Sequence, residues 1–288
     1  LRAAGAEVLF FNHQRRRGLW RRLWSRTHRK ILIVDEEVAF IGGVNISKHM
    51  KEWNDIQVRL EGEILYALLR SFRRAYLRSG GKRQNVRHLQ KYRRLAHEVR
   101  DARVEFIWDD CNPKESRIRK RYAEALKTAK ERVILFSPYY FPDRQFIRAL
   151  WHARRRGVRV DLLLPLRTDV RLATHAAYAY FSLMKKFGVN VFLTDKMMHG
   201  KGVIVDDEWA MVGSCNIDQT SFYDNYEASV RIRDKQFVRS LRETMKRWFL
   251  HARTLDELKW ERRGIWQRCK ERVAHKLFEW WHVRRSSR

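Results

Sequence analysis

One pattern occurs twice in this chain with every interval preserved. In the first copy His28 and Lys30 flank a single residue, four residues lead on to Asp35, and six more precede Gly42, Gly43 and Asn45. In the second copy His199, Lys201, Asp206, Gly213, Ser214 and Asn216 stand at the same spacing. Self-similarity of this kind restricts the chain to folds made of two related halves. Each copy places an apolar, β-branched run (31–34 and 203–205) before an acidic triplet and a second apolar run, the pattern of a buried β-hairpin.

The likeness extends upstream. Residues 1–10 read as a helix end, a glycine cap at Gly5 and a strand, and residues 184–192 read the same way around Gly188. From Gly188 to His199 is eleven residues and from Gly5 to His28 twenty-three, so the first half carries an insertion rich in Arg and Trp. Ahead of its motif the second half alternates strand and helix: strands at 104–108, 133–137 and 158–164, helices at 116–128, 144–156 and 173–187. The first half has no counterpart to most of this and is expected to be incomplete at its N-terminus by roughly seventy residues or more. A helix at 64–78 closes it. The expected divisions are a first half at 1–80, a basic linker at 81–101 opened by Gly80 and Gly81, a second half at 102–250, and a basic, Trp-rich amphipathic tail at 251–288.

Charge narrows the partners. Against 33 Asp and Glu stand 62 Lys and Arg, a formal net charge of +29, while the hydrophobic share of 44% is that of a globular protein. Such a surplus points to an anionic partner, either nucleic acid or the anionic face of a membrane. No apolar run approaches the ~20 residues that a membrane-spanning helix needs. The three cysteines (Cys111, Cys215, Cys269) are odd in number and lack metal-ligand spacing, which fits packing roles in a reducing compartment.

The motif itself carries chemistry. Residues i and i+2 of a strand share a face, so His28 projects with Lys30 and His199 with Lys201. If the halves meet about a pseudo-two-fold axis, two imidazoles and two ammonium groups converge on one pocket, a set suited to a phosphodiester. The lysines neutralise its non-bridging oxygens, one imidazole attacks phosphorus, and the other protonates the leaving alcohol. The lysines take the part a divalent ion would otherwise play, so no metal or other cofactor is expected. Asp35 and Asp206 complete the catalytic motif but have the wrong parity for that face, and a structural role in the hairpin turn is expected of them. Gly43 and Ser214 permit close backbone approach, and Asn45 and Asn216 are expected to donate to phosphate oxygens. Asp55 lies ten residues after Asn45 and Glu227 eleven after Asn216, and each is placed to orient the other half's histidine. Of the remaining histidines only His175 is a candidate for the pocket, and Ser221 is a candidate phosphate-pocket donor.

This duplicated motif resembles that of the phospholipase D superfamily. Residues 137–143 (Ser-Pro-Tyr-Tyr-Phe-Pro-Asp), 206–218, 225–228 (Asn-Tyr-Glu-Ala) and 53–62 are similar to segments of the bacterial cardiolipin synthases, in particular a short subgroup without N-terminal transmembrane helices. The likeness covers roughly residues 1–250 and departs at Gly43, where the second copy has Ser214, and at Gln219-Thr220, where the family often has Pro-Arg. The resemblance implies an α/β class, a duplicated α/β/α phospholipase D-like sandwich with pseudo-two-fold symmetry. It implies transfer of a phosphatidyl group between two phosphatidylglycerol molecules through a phosphohistidine on His28, with release of glycerol. Hydrolysis of phospholipids, or less readily of nucleic acid, is the alternative. Its implied partners are anionic phospholipids and the membrane surface, with no obligatory nucleic acid, and its implied location is peripheral on the cytoplasmic face of a bacterial membrane. Membrane contact is expected of Trp20, Arg21, Arg22 and Trp24 in the insertion. It is also expected of a helical stripe in the tail comprising Trp266, Cys269, Val273, Leu277, Trp280 and Trp281 beside Arg268, Lys270, Arg272 and Lys276.

Overall fold

The structure is a computed structural model and describes residues 1–11, 26–98, 103–110 and 115–286. Cys111 and the insertion residues Trp20, Arg21, Arg22 and Trp24 lie outside the described residues. The chain opens with a single 3-10 turn at Arg2–Ala4, ended by Gly5 at φ +81°. The strand expected at 6–10 does not form, since no described strand runs beside that segment to complete a ladder.

Strands β1 (Ile31–Val34) and β2 (Val38–Gly42) form the expected hairpin, in antiparallel register with Val34 opposite Val38. Asp35 and Glu36 have φ of +51° and +60°, and the Glu37 N–H donates to the Val34 carbonyl at 3.0 Å. Two successive left-handed residues make the turn whose twist matches the strands it joins. Strand β3 (Gln57–Glu61) completes a three-stranded antiparallel sheet. Helix α1 (Ile64–Arg78) lays Leu65, Leu68 and Leu69 against it. The stretch expected as a linker is folded, because Val86 and Leu89 bury themselves beside α1 and lead into α2 (Tyr92–Glu98).

The second half follows the expected alternation. Strand β4 (Val104–Asp110), helix α3 (Arg117–Thr128), β5 (Arg132–Phe136), the short β6 (Tyr140–Phe141), α4 (Arg144–Arg155), β7 (Arg159–Pro165), α5 (Arg171–Lys186) and β8 (Asn190–Thr194) come in turn. Then come the second motif hairpin, β9 (Gly202–Val205) and β10 (Trp209–Gly213), followed by β11 (Ile217–Asp218) and α6 (Gln219–Tyr223). Strand β12 (Tyr226–Ile232), α7 (Lys235–Phe249), β13 (Ala252–Thr254) and the tail helix α8 (Ile265–Ser286) finish the chain. The principal sheet has eight strands in the order β13-β8-β7-β5-β9-β10-β12-β4, parallel through β5, β7 and β8.

Both faces of that sheet are covered. One carries α3, α4, α5 and part of α8 over a core that includes Tyr122, Phe146, Leu162, Phe181 and Val203. On the other, Phe136, Ile204, Val212 and Val230 pack with Ile41, Val58 and Leu68 of the first half and Met245 of α7. The halves therefore share one core, and burial on both faces explains why β9 and β10 are buried throughout. In the smaller sheet β1 alternates, with Leu32 and Val34 exposed.

Helix α8 has two faces. Glu271, Ala274 and Phe278 point inward, with Glu271 paired to Arg263 at 3.0 Å and the Phe278 ring 5.1 Å from that of Phe141. Ile265, Trp266, Cys269, Val273, Leu277 and Trp280 are exposed on the other side, along with Arg268, Lys270, Arg272 and Lys276. The tail thus packs on the protein by one stripe and presents the expected aromatic and aliphatic stripe outward from Trp266 to Trp280, while the side chain of Trp281 lies outside the described ones. No described helix is long and apolar enough to cross a membrane.

Candidate active site

Each histidine lies just ahead of its hairpin, where the chain pairs with the other half. The His28 N–H donates to the Tyr226 carbonyl at 2.9 Å, and the Tyr226 N–H donates to the Arg26 carbonyl at 2.9 Å. The same exchange recurs in the other direction. The His199 N–H donates to the Asn54 carbonyl at 2.6 Å, and the Asn54 N–H to the Met197 carbonyl at 2.9 Å. These short parallel bridges, Thr27 with Tyr226 and Asn54 with Met198, relate the halves as a pseudo-two-fold axis would.

Crosswise carboxylates follow from that pairing. Glu227, one residue past Tyr226, holds His28 Nδ1 at 3.0 Å from both of its oxygens. Asp55, one residue past Asn54, holds His199 Nδ1 at 2.7 Å. A carboxylate can only accept, so each Nδ1 carries the proton and each Nε2 is the free ring nitrogen. The environments are unequal: the His28 side chain is 28% exposed and that of His199 5%. Burial pushes the His199 pKa down, outweighing the bond to Asp55. Burial alone would raise Glu227, but His28, the Ser214 hydroxyl and Lys30 outweigh it and keep the carboxyl below its usual range.

Lys30 Nζ donates to the His28 carbonyl at 2.8 Å, and Lys201 Nζ likewise to that of His199. Lys201 is fully buried. Desolvation lowers Lys30 to about 8 and Lys201 to about 7, against partial support from Glu227 and Asp55, which both lysines feel. Each lysine also lowers the charge preference of its neighbours, since Lys30 acts on both Lys201 and His199. The two imidazoles, two ammonium groups and two carboxylates therefore form one electrostatic cluster. An anionic ligand would relieve the cost of its buried ammonium groups.

The departure at Gly43 has a steric reason. A Cβ there would collide with the Asp55 carboxylate and the His199 carbonyl, so only glycine fits. Ser214, its counterpart, has room for a hydroxyl that donates to Glu227 Oε2 and accepts the Ala228 N–H at 3.0 Å. Asn216 is buried, and its side-chain amide hydrogen-bonds the Asp218 carboxylate. Asn45 is half-buried, with Nδ2 3.3 Å from Met50 Sδ.

Asp35 and Asp206 do not join the cluster. Both sit in the hairpin turns, at the far ends of β1 and β9 from the histidines. Asp206 accepts the backbone N–H groups of Lys130, Glu131 and Arg132 at 2.7, 2.9 and 2.7 Å, tying the hairpin to the start of β5. Replacing Asp206 with alanine should cost about 2 kcal/mol of stability by stranding these donors, while turnover per folded molecule stays within about threefold of wild type. Denaturant melts alongside rates corrected for folded fraction decide this. Lost turnover at undiminished stability would restore a direct role.

His175 is not in the cluster, because Gln267 Nε2 of α8 donates to its Nδ1 at 3.2 Å. Three contributing residues were not singled out by sequence. Arg29 reaches away from the cluster to the Glu227 carbonyl, the Asp109 carbonyl and Asp110, at 3.2, 2.7 and 2.6 Å, and so clamps the first motif onto the second half's sheet. Its place between His28 and Lys30, on the opposite face of the extended chain, was the available signal. Trp53 stands 5.3 Å from the His199 ring, centroid to centroid. Asp218 is half-buried beside Asn216.

A crosswise pair of carboxylate-held histidines, each with a lysine two residues on, is the arrangement expected of a phosphodiester-processing site of the phospholipase D type. The sequence profile described as "Cardiolipin synthase, PLD-like domain" matches residues 122–249. The chain is 33% identical to cardiolipin synthase B of Escherichia coli K12, in a match that covers 95% of this chain and 68% of that protein. It is 28% identical to the cardiolipin synthase of Listeria monocytogenes serotype 4a, covering 89% of this chain and 55% of that one. The crystal structure of phosphatidylserine synthase from Haemophilus influenzae superposes with a TM-score of 0.63 at 16% identity, over 91% of this chain and 70% of that one, and supports the fold. The chain belongs to the cardiolipin synthase family, the phosphatidyltransferases of the phospholipase D superfamily.

Proposed function

We propose that the protein makes cardiolipin from two molecules of phosphatidylglycerol, and the observation that carries the reading is the crosswise pairing of His28 with Glu227 and His199 with Asp55. In the first step His28 Nε2 attacks phosphorus while the bond from phosphorus to the headgroup oxygen breaks. Protonated His199 gives that oxygen its proton, and glycerol leaves. In the second step neutral His199 takes the proton of the acceptor's free hydroxyl. The acceptor oxygen then attacks phosphorus, and the phosphorus–nitrogen bond breaks. Attack falls to His28 because both oxygens of an anionic Glu227 polarise its ring. Proton donation falls to His199, whose lowered pKa makes its imidazolium the readier acid.

Lys30 and Lys201 hold the non-bridging oxygens, with Asn45 and the second amide hydrogen of Asn216 as further donors. Asp35 and Asp206 hold the turns. The divisions at 80, 101 and 250 are proposed as limits of the two halves and the tail. The enzyme acts peripherally on the cytoplasmic face of a bacterial membrane, where its positive charge meets anionic lipid.

A single comparison tests the reading: purified protein with phosphatidylglycerol vesicles and, in parallel, with single- and double-stranded DNA. Cardiolipin and glycerol are the expected products. Cleaved DNA with untouched lipid would overturn the assignment, and phosphatidic acid alone would make the enzyme a hydrolase.

The lysines set the expected pH dependence. Ammonium groups with folded values of about 7 and about 8 lose their charge as pH rises through that window, far below a free lysine. The rate at low substrate should therefore fall on the alkaline side from about pH 7 to 8. A profile of kcat/KM that stays flat to pH 9 or above would show that the ammonium charges are not required or are held by other means.

A further inference from the structure

Beside the histidine pairs lies a cavity of about 120 Å³ that none of the motif histidines or lysines lines. One water needs only ~10–15 Å³ of such space, so the cavity admits a small organic group. Its apolar wall comes from β6, α5 and α8 through Phe141, Ala173 and Phe278, and its polar lining includes Asn216, Asp218, Thr220, Ser221 and Asn225 beside Tyr139 and Tyr140. Asn225 links it to the cluster, since its Nδ2 donates to Glu227 Oε1 at 3.4 Å.

Two of these polar atoms are unsatisfied. Asn216 Oδ1 and Ser221 Oγ are buried without a hydrogen-bond partner among the described residues, in side chains of residues only 6% and 1% exposed. Each such atom ordinarily costs stability, so a native pair lining one cavity calls for a partner inside it, water or ligand. The neighbouring Asp218 carboxylate, whose charge the Asn216 amide favours, keeps the amide nitrogen on its own side. That fixes Oδ1 as an acceptor. A phosphate oxygen is also an acceptor and cannot satisfy it, whereas a hydroxyl can. The Ser221 hydroxyl both donates and accepts. Asp218, which also accepts the Ser221 N–H at 2.7 Å, adds negative charge that disfavours a second anion.

We propose that this cavity is the subsite for the alcohol side of the reaction, holding the hydroxyls of a vicinal-diol headgroup on Asn216 Oδ1 and Ser221 Oγ. The inference rests on the transferase reading above and sharpens it. The departing glycerol leaves both of its free hydroxyls there, and glycerol attacking in the reverse of that step returns them to the same place; an attacking phosphatidylglycerol, whose third carbon carries its own phosphate, offers the subsite its central hydroxyl. An alcohol without the second hydroxyl leaves the two atoms unpaired, which is how a polar site discriminates.

The test offers the full chain phosphatidylglycerol in detergent micelles with labelled glycerol and 1-propanol together at equal concentration. The readout is the ratio of labelled phosphatidylglycerol to phosphatidylpropanol, which does not depend on how much of the enzyme is folded. Wild type should favour glycerol about tenfold or more. Ser221→Ala, which removes one hydroxyl, and Ala173→Leu, which fills the cavity from α5, should each lower that ratio about fivefold or more. A wild-type ratio near one, or a ratio in either variant within about twofold of wild type, would overturn the subsite. Absence of any phosphatidyl product, with either alcohol or with water, would remove the transferase reading instead.

Discussion

Alanine at His28 or at His199 should lower phosphatidyl transfer by about 10⁴-fold or more, and the double variant should lose little beyond either single one. The two rings act in the same steps, one forming the bond to phosphorus and the other moving the proton, so removing the second from a site already lacking the first has little left to affect. The proposed division of labour makes a sharper demand. A lipid diester with a p-nitrophenyl headgroup has a leaving group that needs no proton. His199→Ala should therefore still release a burst of p-nitrophenolate close to the enzyme concentration, whereas His28→Ala should release none. A burst with the reverse assignment would exchange the two roles, and no burst in either variant would refute a covalent step that depends on one histidine alone. The carboxylates grade the effect. Glu227→Gln keeps the shape but withdraws the charge that orients and polarises His28, and should cost about 10²-fold.

Much of this site could be read from the sequence because the information was local. The i, i+2 parity put each histidine with its lysine, and the fixed interval to the acidic turn put Asp35 and Asp206 at the opposite ends of their strands, where the left-handed turn residues lie. Even the crosswise pairing was legible, because Asp55 and Glu227 recur at nearly equal distances from Asn45 and Asn216. What escaped depends on contacts distant in sequence. Arg29 clamps onto Asp110, some eighty positions away, and its place between His28 and Lys30 shows which face it takes but not the partner it meets. Asp218 is a chemical feature only because burial lifts its pKa to about 6. The stretch after Gly80 looked like a linker from its charge, yet Val86 and Leu89 suffice to fold it onto α1. The apolar run after Gly5 has strand composition but no neighbouring strand, and composition cannot supply one.

The tail helix carries the second large expected effect. Ile265, Trp266, Val273, Leu277 and Trp280 of α8 are exposed, Trp266 by 79%, while the opposite stripe is already committed to the protein through Glu271, Ala274 and Phe278. Apolar area of this kind stays in water at a cost unless something covers it, and here Lys270 flanks the stripe on one side and Arg272 and Lys276 on the other. A Trp-bearing stripe between basic rows fits the interfacial zone of an anionic bilayer, with about 1 kcal/mol contributed by each basic residue near the surface. Reversing Lys270, Arg272 and Lys276 to glutamate together should therefore weaken binding to phosphatidylglycerol vesicles about 10²-fold or more at moderate salt. It should leave binding to neutral vesicles nearly unchanged. Trp266→Ala with Trp280→Ala should lower activity on vesicles while sparing activity on detergent-dispersed lipid, because the altered side chains face away from the packed stripe. Sedimentation with vesicles of graded charge measures the first effect and paired assays the second. Equal losses in vesicles and detergent would assign the tryptophans to folding. Binding indifferent to lipid charge would mean that α8 is not what brings the enzyme to the membrane.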